Sequence, residues 1–222
     1  MIISLDGNTY LGKTSIIEQW NTEFSNSIIC EEYDTDLGEL EGKTHFQKQQ
    51  YYFELEAKRL GCIRKESIVF LDRSCLSMLA HSYAVSLMEN KNLLIETLGI
   101  LEKQREKNLI VCPQAVVFFV QLEKQRVYTD INRKGGEEIL YDALYREYID
   151  LFYKKIIMVL PEEYIDYIYV CSKDKREEWD DLAQWVCGHC CQETNREKEE
   201  LFDVLLSAIK QICNEIGIND DK

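Results

Sequence analysis

The chain has 222 residues, of which 45% are hydrophobic and 30% charged, with only two prolines; this excludes disordered and fibrous architectures and suits one α/β domain. Forty acidic residues against 26 basic ones leave a net charge of −14, which opposes sequence-independent binding to a polyanion, and no basic cluster offsets it. Small phosphate ligands stay open, because a local nest of backbone N–H groups outweighs distant charge that salt screens beyond roughly 8 Å.

The first apolar run, Ile2 to Leu5, predicts a strand and is far too short for a signal or a membrane span. No basic segment precedes it. Nine cysteines, an odd number, lie mostly singly in apolar runs, as Cys30 and Cys171 do. That pattern suits reduced thiols and a cytoplasmic location.

Directly after this strand comes Gly7-Asn8-Thr9-Tyr10-Leu11-Gly12-Lys13-Thr14-Ser15, and then Ile16, Ile17 and Trp20 at helical spacing. A glycine, four residues and Gly-Lys-Thr between strand and helix is the pattern of a phosphate-binding loop. Gly7 and Gly12 permit backbone conformations and close approaches that a Cβ would obstruct, so N–H groups can face phosphate oxygens. Lys13 can bridge the outer phosphates of ATP and Thr14 can ligate Mg²⁺, while the helix start adds its positive dipole end. A strand-to-helix turn that binds nothing is the plain alternative, and the strand, loop and helix context argues against it.

Further apolar runs, Ile28 to Cys30, Ile68 to Leu71, Ala115 to Leu122 and Tyr164 to Val170, predict four more strands covered on both faces. Between them lie helical patterns such as His45 to Leu60 and Glu137 to Ile156. A stripe of Leu201, Val204, Leu205, Ala208, Ile209, Ile212 and Ile216 predicts a last helix, with Gly217 as its cap. Alternating strands and helices predict a three-layer α/β fold, a five-stranded parallel sheet flanked by helices, in one domain over residues 1–222.

Asp72-Arg73 follows the third strand, at the rim where open α/β sheets bind ligands. Asp72 can hold Mg²⁺ through water and Arg73 can neutralise phosphate; a helix-capping surface pair is the bland reading. Later, Arg126, Arg133 and Lys134 precede Gly135-Gly136, a basic and flexible stretch around 124–137 suited to a lid over transferring phosphate. Solvated helix charges are the bland reading of the same stretch. Cys187, His189, Cys190 and Cys191 are crowded for a zinc site, and no metal is expected there.

With Gly-Asn and Gly-Lys-Thr, a second strand ending near glutamate, Phe46-Gln47, and Asp72-Arg73-Ser74, the chain resembles the deoxynucleoside kinases; thymidylate kinases share the outline, with Asp-Arg at that strand end. The resemblance covers residues 1 to about 150 and implies a P-loop kinase fold with ATP and Mg²⁺. It implies that Glu31 is the general base, Gln47 hydrogen-bonds the substrate base, Arg73 neighbours the phosphate and Arg133 is the lid arginine. Glu31 or Glu32 can also be merely solvated, and Gln47 merely helical. Tyr51 and Tyr52 either line a base pocket or belong to the core. The segment between Glu31 and Gln47 lacks the tryptophan-bearing insertion of the family, and the lid is short and poor in arginine.

These expectations describe a kinase of a nucleoside, a deoxynucleoside above all, with no nucleic-acid or membrane partner. A homodimer through helices, common in the relatives, stays open. The competing readings are a thymidylate-type nucleoside monophosphate kinase and a nucleotide-binding switch with no acceptor.

Overall fold

The computed structural model describes residues 1–9, 11–24, 27–33, 37–64, 68–120, 138–170, 175–191 and 198–216. Each apolar run of the sequence becomes a strand: β1 (Ile2–Gly7), β2 (Ser27–Cys30), β3 (Ile68–Asp72), β4 (Ala115–Val120) and β5 (Tyr167–Val170). All pairings are parallel, in the order β2-β3-β1-β4-β5. Parallel neighbours need crossovers, and the helices supply them: α1 (Lys13–Glu23), α2 (Leu37–Leu40), α3 (His45–Arg59), α4 (Leu76–Glu89), α5 (Leu93–Glu106), α6 (Ala143–Val159), α7 (Lys175–Cys191) and α8 (Lys198–Glu215).

Side chains alternate across the sheet, and both faces are covered. Ile3, Leu5, Phe70, Val117 and Phe119 pack with Ile16, Ile17 and Trp20 of α1 and with Leu182 and Val186 of α7. Val116 and Phe118 point the other way, into the larger core that α3, α4, α5, α6 and α8 build. With both faces covered, the strands are mostly apolar instead of alternating with polar residues, and Ser4 and Asp6 of β1 are buried exceptions. The predicted stripe of α8 enters this core through Leu201, Leu205, Ala208, Ile209 and Ile212. Among the described residues no helix is long and apolar enough to cross a membrane.

Three boundaries differ from the sequence expectation, each for a local reason. β1 runs on to Gly7 because the buried Asp6 carboxylate is satisfied by Ser74. The helix expected from Glu137 begins at Ala143, where Asp142 caps it by accepting from the N–H groups of Leu144 and Tyr145, after a 3₁₀ turn over Glu138–Tyr141. β5 starts at Tyr167 because Glu162–Tyr164 form another 3₁₀ turn, and the Asp166 carboxylate then accepts from Val116 N–H. Tyr10, Arg126, Arg133, Lys134 and the rest of the expected lid, together with Cys171 and Gly217, lie outside the described residues, as do the side chains of His189, Cys190 and Cys191.

Candidate active site

The site is built at the C-terminal ends of β1, β3 and β2, and it begins with two glycines that serve different purposes. At Gly7, with φ of 150°, a Cβ would lie 2.4 Å from the Phe119 carbonyl oxygen, so only a glycine lets β1 end flush against β4. A Cβ at Gly12 would meet nothing within 4 Å, but φ is 87°, in the left-handed region that favours glycine. From Gly12 the chain turns directly into α1, and no side chain among the described residues caps the helix. Its first N–H groups therefore face the loop with the positive end of the helix dipole behind them.

Asn8 holds the loop in shape. Its Oδ1 accepts from Thr9 N–H at 2.9 Å, and its Nδ2 donates to the Arg146 carbonyl on α6 at 2.8 Å. Lys13 is buried and folds back along the loop, donating to the carbonyls of Asn8 at 2.5 Å and Gly7 at 3.3 Å. Burial, with the nearby Arg73 guanidinium adding to it, pulls the Lys13 ammonium from its ordinary 10.5 down to about 7.

Thr14 and Asp72 meet across the two strands. The Thr14 hydroxyl donates to Asp72 Oδ2 at 2.5 Å, while Asp72 Oδ1 is buried and makes no hydrogen bond among the described residues. A buried carboxylate oxygen left over beside a hydroxyl is a hard oxygen pair, and it fits a divalent cation such as Mg²⁺.

Arg73 is buried and adopts φ of 68°, a left-handed conformation that costs a non-glycine residue about 1 kcal/mol. Ser74 fastens the turn: its N–H and hydroxyl both donate to the Asp6 carboxylate, at 3.1 and 2.7 Å. Arg73 Nη1 donates to the Gly7 carbonyl at 2.8 Å, and Nε faces the Glu32 carboxylate at 2.5 Å as an ion pair. Burial alone would lower the guanidinium, but Glu32 and the other carboxylates around it hold it above its ordinary value. One loop carbonyl, that of Gly7, thus receives both cations.

The carboxylate brought to Arg73 is that of Glu32, whose side chain keeps 52% exposure; Glu31 is exposed one residue earlier, and among the described residues no ion pair or hydrogen bond of its side chain ties it to this corner. A similar offset occurs on α3. Gln47 is exposed and closes a capping box with Thr44, its Oε1 accepting from Thr44 N–H at 3.0 Å. The amide that α3 turns inward is Gln49, only 1% exposed, with an Oε1 that makes no hydrogen bond among the described residues. Tyr51 is half-buried, 5.2 Å beneath the Lys43 ammonium and edge-on to Tyr52, which in turn packs edge-on to Tyr33.

Sequence reasoning passed over Glu56 and Arg59 as well. Both are buried, three residues apart, and their ion pair is 3.1 Å. The signal was present in the helical spacing: Gln49, Phe53, Glu56 and Arg59 share one face of α3 with a large apolar residue among them. Opposite charges on such a face read as a buried pair. Elsewhere, a cavity of about 870 Å³ opens near Ile2, Ile63 and Val111, at the opposite end of the sheet. Of the charges that line it, Arg105 pairs with Asp203 and Lys210 with Glu102.

Strand order, loop and site together define the P-loop kinase fold. The fold is shared with deoxyadenosine kinase from M. mycoides with dCMP and dCDP bound, at a TM-score of 0.59 and 16% identity over 85% of this chain and 100% of that one. Thymidylate kinase from Candida albicans is similar at a TM-score of 0.56 and 13% identity, over 85% and 92%. Thymidylate kinase from Ehrlichia chaffeensis follows at 0.55 and 13%, over 86% and 98%. No protein-family profile and no curated sequence matches the chain.

Proposed function

We propose that the chain is an ATP-dependent phosphotransferase that phosphorylates a sugar hydroxyl of a nucleoside, with a deoxynucleoside as the favoured acceptor. The observation that carries this reading is the Arg73–Glu32 pair, 2.5 Å apart, beside a loop whose Gly7 carbonyl also binds Lys13. A cation that can hold a γ-phosphate and a carboxylate that can take a hydroxyl proton are then neighbours at the end of one sheet.

In this reading the acceptor oxygen forms a bond to the γ-phosphorus, the bond from that phosphorus to the β–γ bridging oxygen breaks, and ADP leaves. The acceptor's proton passes to Glu32, which replaces Glu31 as the base. Lys13 and Arg73 neutralise the charge spread over the transferring group, and Arg133 is the lid arginine. Thr14 and Asp72 would hold Mg²⁺, which would supply neutralisation of the phosphate charge. Gln49, not Gln47, presents the amide that reads the acceptor base, since a buried amide with a spare acceptor gains most from a ligand donor.

A phosphorylated acceptor is the alternative, as in the thymidylate kinases of the same fold. Glu32 argues against it: a carboxylate already opposite Arg73 repels a second phosphate there. The test is a transfer screen with labelled ATP, Mg²⁺ and panels of nucleosides and nucleoside monophosphates. Labelled nucleosides support the reading, and labelled diphosphates alone move the chain to the monophosphate kinases. If ATP binds and no acceptor is labelled, the kinase reading gives way to a nucleotide-binding switch.

A further inference from the structure

Arg59, the last residue of α3, is buried, and its guanidinium is shared among the strand ends that carry the site. Nη1 donates to the Arg73 carbonyl at 2.9 Å and to Glu56 Oε2 at 3.1 Å. Nη2 donates to the carbonyls of Cys30 at 3.0 Å and Asp72 at 3.4 Å, and Nε points at Cys30 Sγ at 3.2 Å. One planar group thereby ties the end of β2 to the end of β3, two residues before Glu32 and on the carbonyl of Arg73 itself.

Its surroundings are fixed in turn. Glu56 Oε2 also accepts from the Tyr33 hydroxyl at 2.8 Å, and Glu56 Oε1 accepts from Val111 N–H at 3.2 Å. Burial and the Glu56 charge push the Tyr33 phenol well above its ordinary range, so that it stays a donor, and its ring lies 4.9 Å over the Arg59 guanidinium. All five N–H donors of Arg59 thus have an acceptor, and the Tyr33 ring covers the guanidinium.

We propose that Arg59 is a positioning residue: by binding the Arg73 carbonyl together with that of Cys30, it holds Arg73 in its left-handed conformation and sets Glu32 against Arg73 Nε. The inference rests on the reading of Glu32 and Arg73 as the pair that handles the acceptor hydroxyl. Glu56 and Tyr33 act one step further out, by orienting Arg59. A lysine cannot replace the fork, because a single ammonium cannot span three carbonyls on two strands.

The test uses the full chain with Arg59→Lys, and nucleotide-dependent thermal stabilisation certifies that the variant is folded. Transfer turnover is expected to fall about 100-fold while the KM for ATP changes less than about threefold, because the phosphate loop is untouched. The second readout needs no activity. The Arg73 Nε–H resonance, identified by its loss in Arg73→Lys, should be shifted and broadened in Arg59→Lys. If Arg59→Lys does not fold, Glu56→Gln carries the same test, with turnover down about tenfold and the same resonance shifted. A folded variant with parental turnover and a parental Arg73 signal overturns the inference, as does a matched loss of ATP affinity and turnover. If the parent protein labels no acceptor, the functional reading fails, and the resonance alone still decides whether Arg59 sets Arg73.

Discussion

The phosphate loop and the carboxylate–arginine corner lie side by side at the end of the sheet and are built in opposite ways. The loop is contiguous, nine residues from Gly7 to Ser15, and its chemistry comes from backbone geometry that two glycines permit. The corner is assembled from three places, the end of β2, the end of β3 and one face of α3, and its chemistry comes from side chains. A contiguous backbone device tolerates no replacement at its glycines. An assembled one depends on which of two adjacent side chains the fold turns inward.

The largest effect should come from the loop. Gly7→Ala places a Cβ 2.4 Å from the Phe119 carbonyl, a backbone atom that cannot step aside, and should cost more than about 3 kcal/mol in a chemical denaturation experiment. A stable Gly7→Ala protein would mean that the β1–β4 contact yields, and that the loop is less rigid than the corner.

Within the corner, Glu32→Gln should lower turnover about 100-fold to 1,000-fold, and Glu31→Gln should leave it within about twofold, with ATP affinity nearly unchanged in both. Equal effects of the two, measured under saturating ATP, would break the contrast between adjacent carboxylates. The reverse order would return the base to Glu31.

Lys13 offers a pH test of the loop alone. Its folded value, about 7, lies below the ordinary 10.5, so the unfolded chain binds more protons between those limits and stability rises with pH there. Above about 9 the buried thiols of Cys30, Cys75 and Cys213, all raised from 9.0, contribute the opposite slope. Burial raises the Asp6 carboxyl as well, with the same opposite slope, so the Lys13 contribution between pH 7 and 9, about 2 kcal/mol in nucleotide-free protein, is the part of the slope that Lys13 alone carries. Urea titrations at the two ends of that window should show it, and Lys13→Met should flatten it.

The smallest effect separates the two glutamines. Gln47→Leu breaks the capping box and should cost about 1 kcal/mol of stability without changing the KM for the acceptor. Gln49→Leu should do the reverse, raising that KM about tenfold or more while melting near the parental temperature. An acceptor KM that responds to Gln47 would put the helix in a different register over the substrate.

The same contrast explains how much the sequence discloses. Strands, their parallel order and the loop are legible because apolar runs and a strand–loop–helix pattern are local signals. Asp72 and Arg73 are legible because they end a strand whose register is set by β1. That Glu32 pairs with Arg73 and that Gln49 is buried are harder to foresee: a one-residue step past β2, or a 200° turn around α3, changes which side chain turns inward, and only packing decides it. Arg59 and Glu56 look like surface charges until Phe53, on the same face of α3 one turn earlier, is seen to be core. Arg133 is read from the resemblance alone.

The Arg59 fork has a consequence for engineering. α3 is fastened to the strand ends at its last turn, through Glu56 and Arg59, while its earlier turns are held by packing, with His45 against Ser82 and Phe53 in the core. A graft of residues 45–55 from a relative with a different acceptor has to keep His45 and Phe53 for packing, and Glu56 and Arg59 then act as the splice that keeps the corner in alignment.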